Sequence, residues 1–233
     1  MNKELDISVV IPIYRNNKVL KELHNALMTV LNPYNYEIIY VNDCSPDSSL
    51  DTLTDLASQY ACVTYLDLEE NVGQQKATLQ GLKKAIGQKI VVLDGDLQDH
   101  PQLIPLLYQA MAQNNGSAAF VKRKGMYQSK GRMTTSVLIK KIIQLLSGLH
   151  YKAGSYYMFD NSLLKKVTTT ASNCQYPYMS IIVAHFASQI QYISADRGKS
   201  IGPSGYTFSK RIKAAVMAIY CSLYCTYTKL IPD

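Results

Sequence analysis

Cysteine is sparse and unpatterned: Cys44, Cys62, Cys174, Cys221 and Cys225 make five, an odd number with no CxxC spacing. That argues against a disulfide framework or a zinc site and for reduced thiols, as in the cytoplasm. A membrane span is missing too. Ala214–Thr228 is a run of 15 residues bounded by Lys213 and Lys229, and it holds Ser, Thr and three Tyr, too short and too polar to cross a bilayer. Met1–Asp6 is polar and charged, so no signal peptide is expected. Neither GxxxxGK followed by Ser or Thr, nor GxGxxG after the first predicted strand, occurs. P-loop nucleotidases and dinucleotide oxidoreductases are thereby set aside. Internal repeats, low-complexity tracts and an interdomain linker are absent as well.

Acidic residues nearly vanish from one half of the chain. Residues 1–99 hold 8 basic and 14 acidic side chains, a net of −6, whereas residues 100–233 hold 16 basic and 3 acidic (Asp160, Asp196, Asp233), a net of +13. A half so basic suits a polyanionic partner such as phosphates, nucleic acid or an anionic membrane surface, although a basic surface kept for solubility has the same composition. Nucleic acid is set aside, because the interleaved aromatic and basic residues of a stacking groove are lacking. What is present is the composition of an ordered protein, 47% hydrophobic and 18% charged over 233 residues. That length is enough for one sizeable domain, 1–233.

The first half alternates two periods. Ile7–Ile13 is a continuous apolar run, as in a buried parallel strand. Leu20, Leu23, Leu27, Val30 and Leu31 recur at helical spacing. Strands are predicted at Tyr36–Val41, Val63–Leu68, Lys89–Leu93 and Ala118–Val121. Helices are predicted after Ser45-Pro46-Asp47, over Gln74–Ile86 and over Pro101–Gln113. This rhythm means an α/β fold with a mostly parallel twisted sheet flanked by helices. The rhythm then changes. Lys122–Arg132 holds five basic residues, two glycines and no acid, and reads as a loop. Met133–Leu146 and Tyr178–Ala187 read as helices, Tyr156–Phe159 and Ile190–Ala195 as strands, and 207–231 as one long amphipathic helix.

Ligands of doubly wound sheets bind at the carboxyl ends of the strands, and three such ends are polar here. They are Pro12-Ile13-Tyr14-Arg15-Asn16, Asn42-Asp43-Cys44-Ser45 and Asp94-Gly95-Asp96-Leu97-Gln98-Asp99. In the last, two carboxylates flank a glycine that allows close backbone approach. Carboxylate and amide oxygens are hard ligands for Mg2+ or Mn2+, which share their remaining positions with phosphate oxygens. A solvated turn uses the same residue types.

The segments Val9-Val10-Ile11-Pro12-Ile13-Tyr14, Val41-Asn42-Asp43-Cys44-Ser45-Pro46-Asp47, Asn71-Val72-Gly73-Gln74-Gln75 and Asp94-Gly95-Asp96-Leu97-Gln98-Asp99-His100-Pro101, in that order and spacing, resemble the family 2 glycosyltransferases of GT-A fold. The resemblance is to the branch with dolichol-phosphate mannose synthase and bacterial polyprenyl-phosphate sugar transferases. Gly154-Ser155-Tyr156-Tyr157-Met158-Phe159-Asp160 is similar to the family's glycine-aromatic strand, and Lys199–Tyr206 to its basic-xx-Gly-x-Ser segment. The resemblance implies a nucleotide-diphosphate sugar donor held by Pro12, Tyr14, Asp43, Asn71, Gln75, Asp94, Gly95 and Lys199, with Asp43 accepting from the base. It implies a metal on Asp96 and Gln98, with Asp94 near the ribose and metal. Three departures stand out. Arg15-Asn16 replaces the usual acidic residue, Asn42-Asp43 replaces a frequent aspartate pair, and the acceptor half lacks the acid-rich segment that supplies a catalytic base.

That last gap bears on the acceptor. A sugar hydroxyl needs a general base, and only Asp160, Asp196, His150 and His185 are on offer. Asp160 reads first as a helix N-cap, and His185 as a core or helix-face histidine. A phosphate acceptor, with its second pKa at about 6, is already an anionic nucleophile. The reading is therefore a GT-A domain with a nucleotide-sugar half (1–121), an acceptor-side extension (122–206) and a C-terminal helix (207–233). It would transfer sugar with inversion to a lipid-linked acceptor, polyprenyl phosphate or lipid-linked glycan, in cell-surface polysaccharide synthesis. The alternatives are transfer to a sugar hydroxyl with Asp160 or Asp196 as base, and a nucleotide-sugar-binding protein without turnover. The C-terminal helix, with Ile212, Val216, Ile219, Tyr220, Leu223, Tyr227, Leu230 and Ile231 near one face, suits the surface of an anionic bilayer at the inner face of the membrane. It equally suits packing against the domain or against a second subunit in a homo-oligomer.

Overall fold

Every residue of β1 (Ile7–Ile13) is buried, because it lies inside the sheet with helices on both faces. The computed structural model describes residues 4–113, 115–123, 141–196 and 208–230. From β1 the chain runs through α1 (Asn17–Leu31), β2 (Tyr36–Asn42), α2 (Ser49–Gln59), β3 (Val63–Asp67), α3 (Gln74–Leu82), β4 (Lys89–Val92) and α4 (Ile104–Gln113). Beyond these lie β5 (Ala118–Arg123), α5 (residues 141–147), β6 (Ala153–Asp160), α6 (Leu164–Asn173), α7 (Met179–Phe186), β7 (Ile190–Ala195) and α8 (Phe208–Leu230).

The strand order is β3-β2-β1-β4-β6-β5-β7. β1 pairs in parallel with β2 on one side and β4 on the other, so the chain order reverses between β1 and β4. This switch point is where doubly wound sheets leave a crevice. β6 is antiparallel to both β4 and β5, while β7 joins β5 in parallel. One core, under α1, α2 and α4, takes Val9, Ile11, Leu20, Leu23, Leu27, Val91 and Leu107. The other, under α3, α6, α7 and α8, takes Val10, Leu82, Val92, Phe120, Tyr157, Val167 and Ile182. Val9 and Val10 fall on opposite sides, as period-2 side chains must.

Four elements differ from expectation. α3 ends at Leu82 rather than Ile86, because Ser8 Oγ at the start of β1 takes the N–H groups of Ile86 (3.2 Å) and Gly87 (2.7 Å). Lys122 and Arg123 belong to β5 rather than to a loop. β6 begins at Ala153, and α6 follows the turn at whose N-cap Asp160 stands, a helix that only the N-cap reading of Asp160 anticipated, because LKKVTTTASN is rich in residues that favour caps and strands. The basic stretch 124–132 and residues 133–140 of the predicted helix lie outside the described residues.

On α8, Ala218, Cys221 and Cys225 are buried, while Ile212, Val216, Tyr220, Leu223 and Tyr227 are exposed. The described domain therefore packs against the cysteine face, not against that apolar stripe.

Candidate active site

Three non-glycine residues in the left-handed region stand at the carboxyl ends of the central strands: Arg15 (φ 58°) after β1, Cys44 (φ 50°) after β2 and Leu97 (φ 57°) after β4. Such backbone is unfavourable for residues with a Cβ and clusters where the chain must be aimed.

After β2, Asp43 is 2% exposed. Its carboxylate accepts the N–H groups of Val72 (2.8 Å) and Gly73 (3.0 Å), and Asn71 Nδ2 donates to its carbonyl at 3.0 Å. Burial raises its pKa, against the pull of the two N–H groups. Gly73 has φ +83°, a conformation that favours glycine, so the Asn71–Gly73 turn is shaped to embrace Asp43. Neighbouring Asn42 donates from Nδ2 to Asp67 Oδ1 at 2.7 Å. An aspartate at 42 would set two carboxylates against each other, which explains the amide in this chain.

After β4 the chain turns sharply. A Cβ on Gly95 would lie 2.7 Å from Ile13 Cδ1 and 3.2 Å from the Pro12 carbonyl oxygen. The glycine thus serves the approach of this loop to β1. Asp94 accepts from Gln74 Nε2 at the start of α3 and from Ser155 Oγ of β6 at 2.6 Å. Burial raises its pKa; the Ser155 bond opposes this, Asp96 and Asp99 add to it, and Arg123 relieves it. Asp96 Oδ1 accepts the N–H of Gln98 at 3.1 Å. Arg123, at the end of β5, reaches Asp99 at 3.3 Å and lies over Gly154, where a Cβ would be 3.0 Å from Nη2.

Among the described residues, no three His, Cys, Asp or Glu side chains are grouped to hold a metal unaided. The donors present are nonetheless hard oxygens in a locally negative environment, and a diphosphate-bound Mg2+ or Mn2+ asks for only one or two protein carboxylates. The residues fit such an ion shared with a ligand.

The other expected residues divide. Pro12 is buried in β1 and Tyr14 is exposed at its end, under the Arg15 guanidinium at 5.3 Å. Gln75 Oε1 accepts the N–H of Met179 at 2.7 Å, holding the start of α7. Asp160 does not join the site. Because β6 is antiparallel, Asp160 stands opposite Lys89 and pairs with its Nζ at 2.9 Å, five residues and roughly 16 Å along the strand from Asp94. Lys89 thus holds the Asp160 carboxylate away from the strand ends that carry Asp94. Asp196 follows β7 and is exposed, on the active edge but three strands from β4. Lys199 and its segment lie outside the described residues. Sequence reasoning missed Gln74, Ser155 and Arg123 as neighbours of Asp94, although the first two lie within the quoted motifs.

This sheet, with its carboxylates at the switch point, is shared with solved glycosyltransferases, and the fold is of the GT-A type. Residues 8–185 match Glycosyl transferase family 2, and the chain belongs to that family. It is 30% identical over 225 residues to the undecaprenyl-phosphate 4-deoxy-4-formamido-L-arabinose transferase of Serratia proteamaculans, covering 92% of this chain and 67% of that protein. It is 33% identical over 139 residues to the dolichol-phosphate mannosyltransferase of Pyrococcus furiosus, covering 60% of this chain and 38% of that one. The chain thus spans about two thirds of the first relative's length and well under half of the second's. Among solved structures, the mannosyltransferase PcManGT from Pyrobaculum calidifontis, in complex with GDP-Man and Mn2+, shares the fold at TM-score 0.61 and 12% identity, over 100% of this chain and 77% of that one.

Proposed function

We propose that this glycosyltransferase moves a sugar from a nucleotide-diphosphate sugar to a lipid-linked acceptor, with inversion at the anomeric carbon, in the synthesis of a cell-surface polysaccharide. The observation that carries the reading is the convergence of Asp94, Asp96 and the three left-handed turns on one strand edge. In this reading 1–121 holds the donor and 122–206 the acceptor. Pro12, Tyr14, Asp43 and Asn71 shape the nucleoside side, and Asp94 and Asp96 face the diphosphate.

Asp96 and Gln98 would hold a Mg2+ or Mn2+ ion, which when bound neutralises charge on the departing diphosphate. The chain's own residues do the rest. Gln74 and Ser155 fix the Asp94 carboxylate from two sides, and Arg123 brings a guanidinium to the acceptor edge. The acceptor is taken as polyprenyl phosphate, after the relatives' names. One phosphate oxygen forms the new bond to the anomeric carbon as the bond to the donor diphosphate breaks. That oxygen carries charge at neutral pH and needs no base, which agrees with the pairing of Asp160 to Lys89 at the other end of β4. The exposed stripe of α8 is read as a contact with the anionic inner face of the membrane. Among the described residues, no helix is long and apolar enough to cross one.

The test is a binding screen of UDP- and GDP-sugars with and without Mn2+, on wild type and Asp96→Asn. Asp96→Asn should lose the Mn2+-dependent part of binding, tenfold or more, with an unchanged melting temperature. Equal affinity in both proteins would remove Asp96 from the metal role, and no binding by wild type would sink the donor reading.

A further inference from the structure

A small pocket opens next to Asp94, on the sheet face covered by α3 and α7. Its polar lining comes from Gln74, Gln75 and Thr78 of α3, Ser155 and Tyr157 of β6, and Ser180 of α7. Among the described residues no charged side chain lines it. Two helices begin here, and both are engaged with the pocket wall: Gln74 holds Asp94, and Gln75 holds the first N–H of α7.

Tyr157 is the anomaly. It is 1% exposed, its ring is fixed by Phe120 at 5.3 Å and Phe159 at 6.3 Å, and its hydroxyl has no hydrogen-bond partner among the described residues. A buried phenol normally finds a partner, and phenylalanine would fill the same space without the cost of an orphaned donor. The hydroxyl therefore points to a ligand. Phosphate is a poor match, since the pocket offers no cation. A sugar hydroxyl is a good one, because it both donates and accepts and the lining is made of amides and hydroxyls. The pocket also shares Gln74 and Ser155 with Asp94, so a sugar attached to a diphosphate held there is within reach.

We propose that this pocket receives a hydroxyl, or a small uncharged polar substituent, of the sugar being transferred, and that Tyr157 donates a hydrogen bond to it. Tyr157 is then a specificity-determining residue, neither acid nor base. The assignment rests on the donor reading above and adds to it the part of the chain that tells one sugar from another.

The experiment compares wild type with Tyr157→Phe by calorimetric titration with UDP, GDP and a panel of UDP- and GDP-hexoses in Mn2+. Tyr157→Phe should bind the bare nucleoside diphosphate within twofold of wild type. It should bind the preferred sugar nucleotide about three- to tenfold more weakly, the loss of one neutral hydrogen bond. Without ligand it should melt at the same or a higher temperature, since an unpartnered donor has been removed. Equal loss for nucleotide and sugar nucleotide, loss for neither, or a lower melting temperature would overturn the assignment; the last would mean that the hydroxyl anchors the fold through buried water. Wild type that binds a nucleotide but gains nothing from any sugar sinks the pocket alone. Wild type that binds no nucleotide brings down the donor reading, and the pocket falls with it.

Discussion

At Asp47 four hydrogen bonds converge on one carboxylate. Ser45 Oγ (2.7 Å), Ser49 N (3.1 Å) and Ser49 Oγ (2.6 Å) donate to Oδ1, and Asn17 N (3.1 Å) donates to Oδ2. Ser45 Oγ in turn accepts the N–H of Arg15 at 2.7 Å, so this side chain bolts the turn after β1 to the turn after β2. Burial acts to raise its pKa, but the four bonds outweigh burial and hold it below the ordinary value of 3.8. A depressed carboxyl contributes stability that is complete above the unfolded pKa of about 4 and is lost as pH falls through the folded one, because the unfolded chain takes up its proton first. Asp47→Asn should thus cost about 1 kcal/mol at neutral pH, since solvent screens the partly exposed charge and the amide keeps one acceptor oxygen, roughly 3 °C in melting temperature for a chain of this length. The gap to wild type should narrow on acidification below pH 4. Melting curves from pH 7 to pH 3 check this; a constant gap would mean that the charge is not what holds the turns. Residues of this kind read well from sequence as loop formers. Their partners, thirty residues away, do not.

Among the elements, α3 matters most for the site, because its first residue holds Asp94. The helix lies so close to the sheet that a Cβ on Gly81 would overlap Val10 Cγ1 and sit 2.9 Å from Val41 Cγ2. Both valines are fully buried and stiff at χ1, so neither can yield easily. Gly81→Ala gains up to about 1 kcal/mol in helix propensity but incurs about 1–3 kcal/mol of overpacking. The expected outcome is a lower melting temperature, with weaker Mn2+-dependent nucleotide binding as Gln74 is carried away from Asp94. Thermal unfolding and a donor titration on the same variant test it; unchanged donor affinity would show that α3 does not set the position of Asp94. α3 itself was legible from its periodicity, but its end at Leu82 was not, because that end depends on Ser8, almost eighty residues earlier.

For the whole molecule, charge and exposed apolar surface fall on the same half of the chain. The segment 100–233 carries +13, and α8 offers Ile212, Val216, Leu223 and Tyr227 at its surface. If that surface meets an anionic bilayer, the intact chain should sediment with phosphatidylserine vesicles at low salt, bind several-fold less as salt rises to 0.5 M, and bind much less after truncation following Tyr206. An intact chain that ignores such vesicles at low salt would leave the stripe to a second copy. What the sequence determined by itself is local or periodic: the buried strands, the helices of the first half, the polar strand ends and the Asp94-Gly95-Asp96 turn. Each follows from nearest-neighbour chemistry and from side-chain periods of 2 and 3.6, and together they carried the family. The tertiary structure alone decided the rest. Strand direction is not written in hydropathy, so only the assembled sheet shows β6 running antiparallel, which delivers Ser155 and Tyr157 to Asp94 and carries Asp160 to the opposite edge. Likewise, the amphipathic pattern of α8 marks two faces but not which one the domain covers; packing against α7 chose the cysteine face, because its small side chains let the helix lie close.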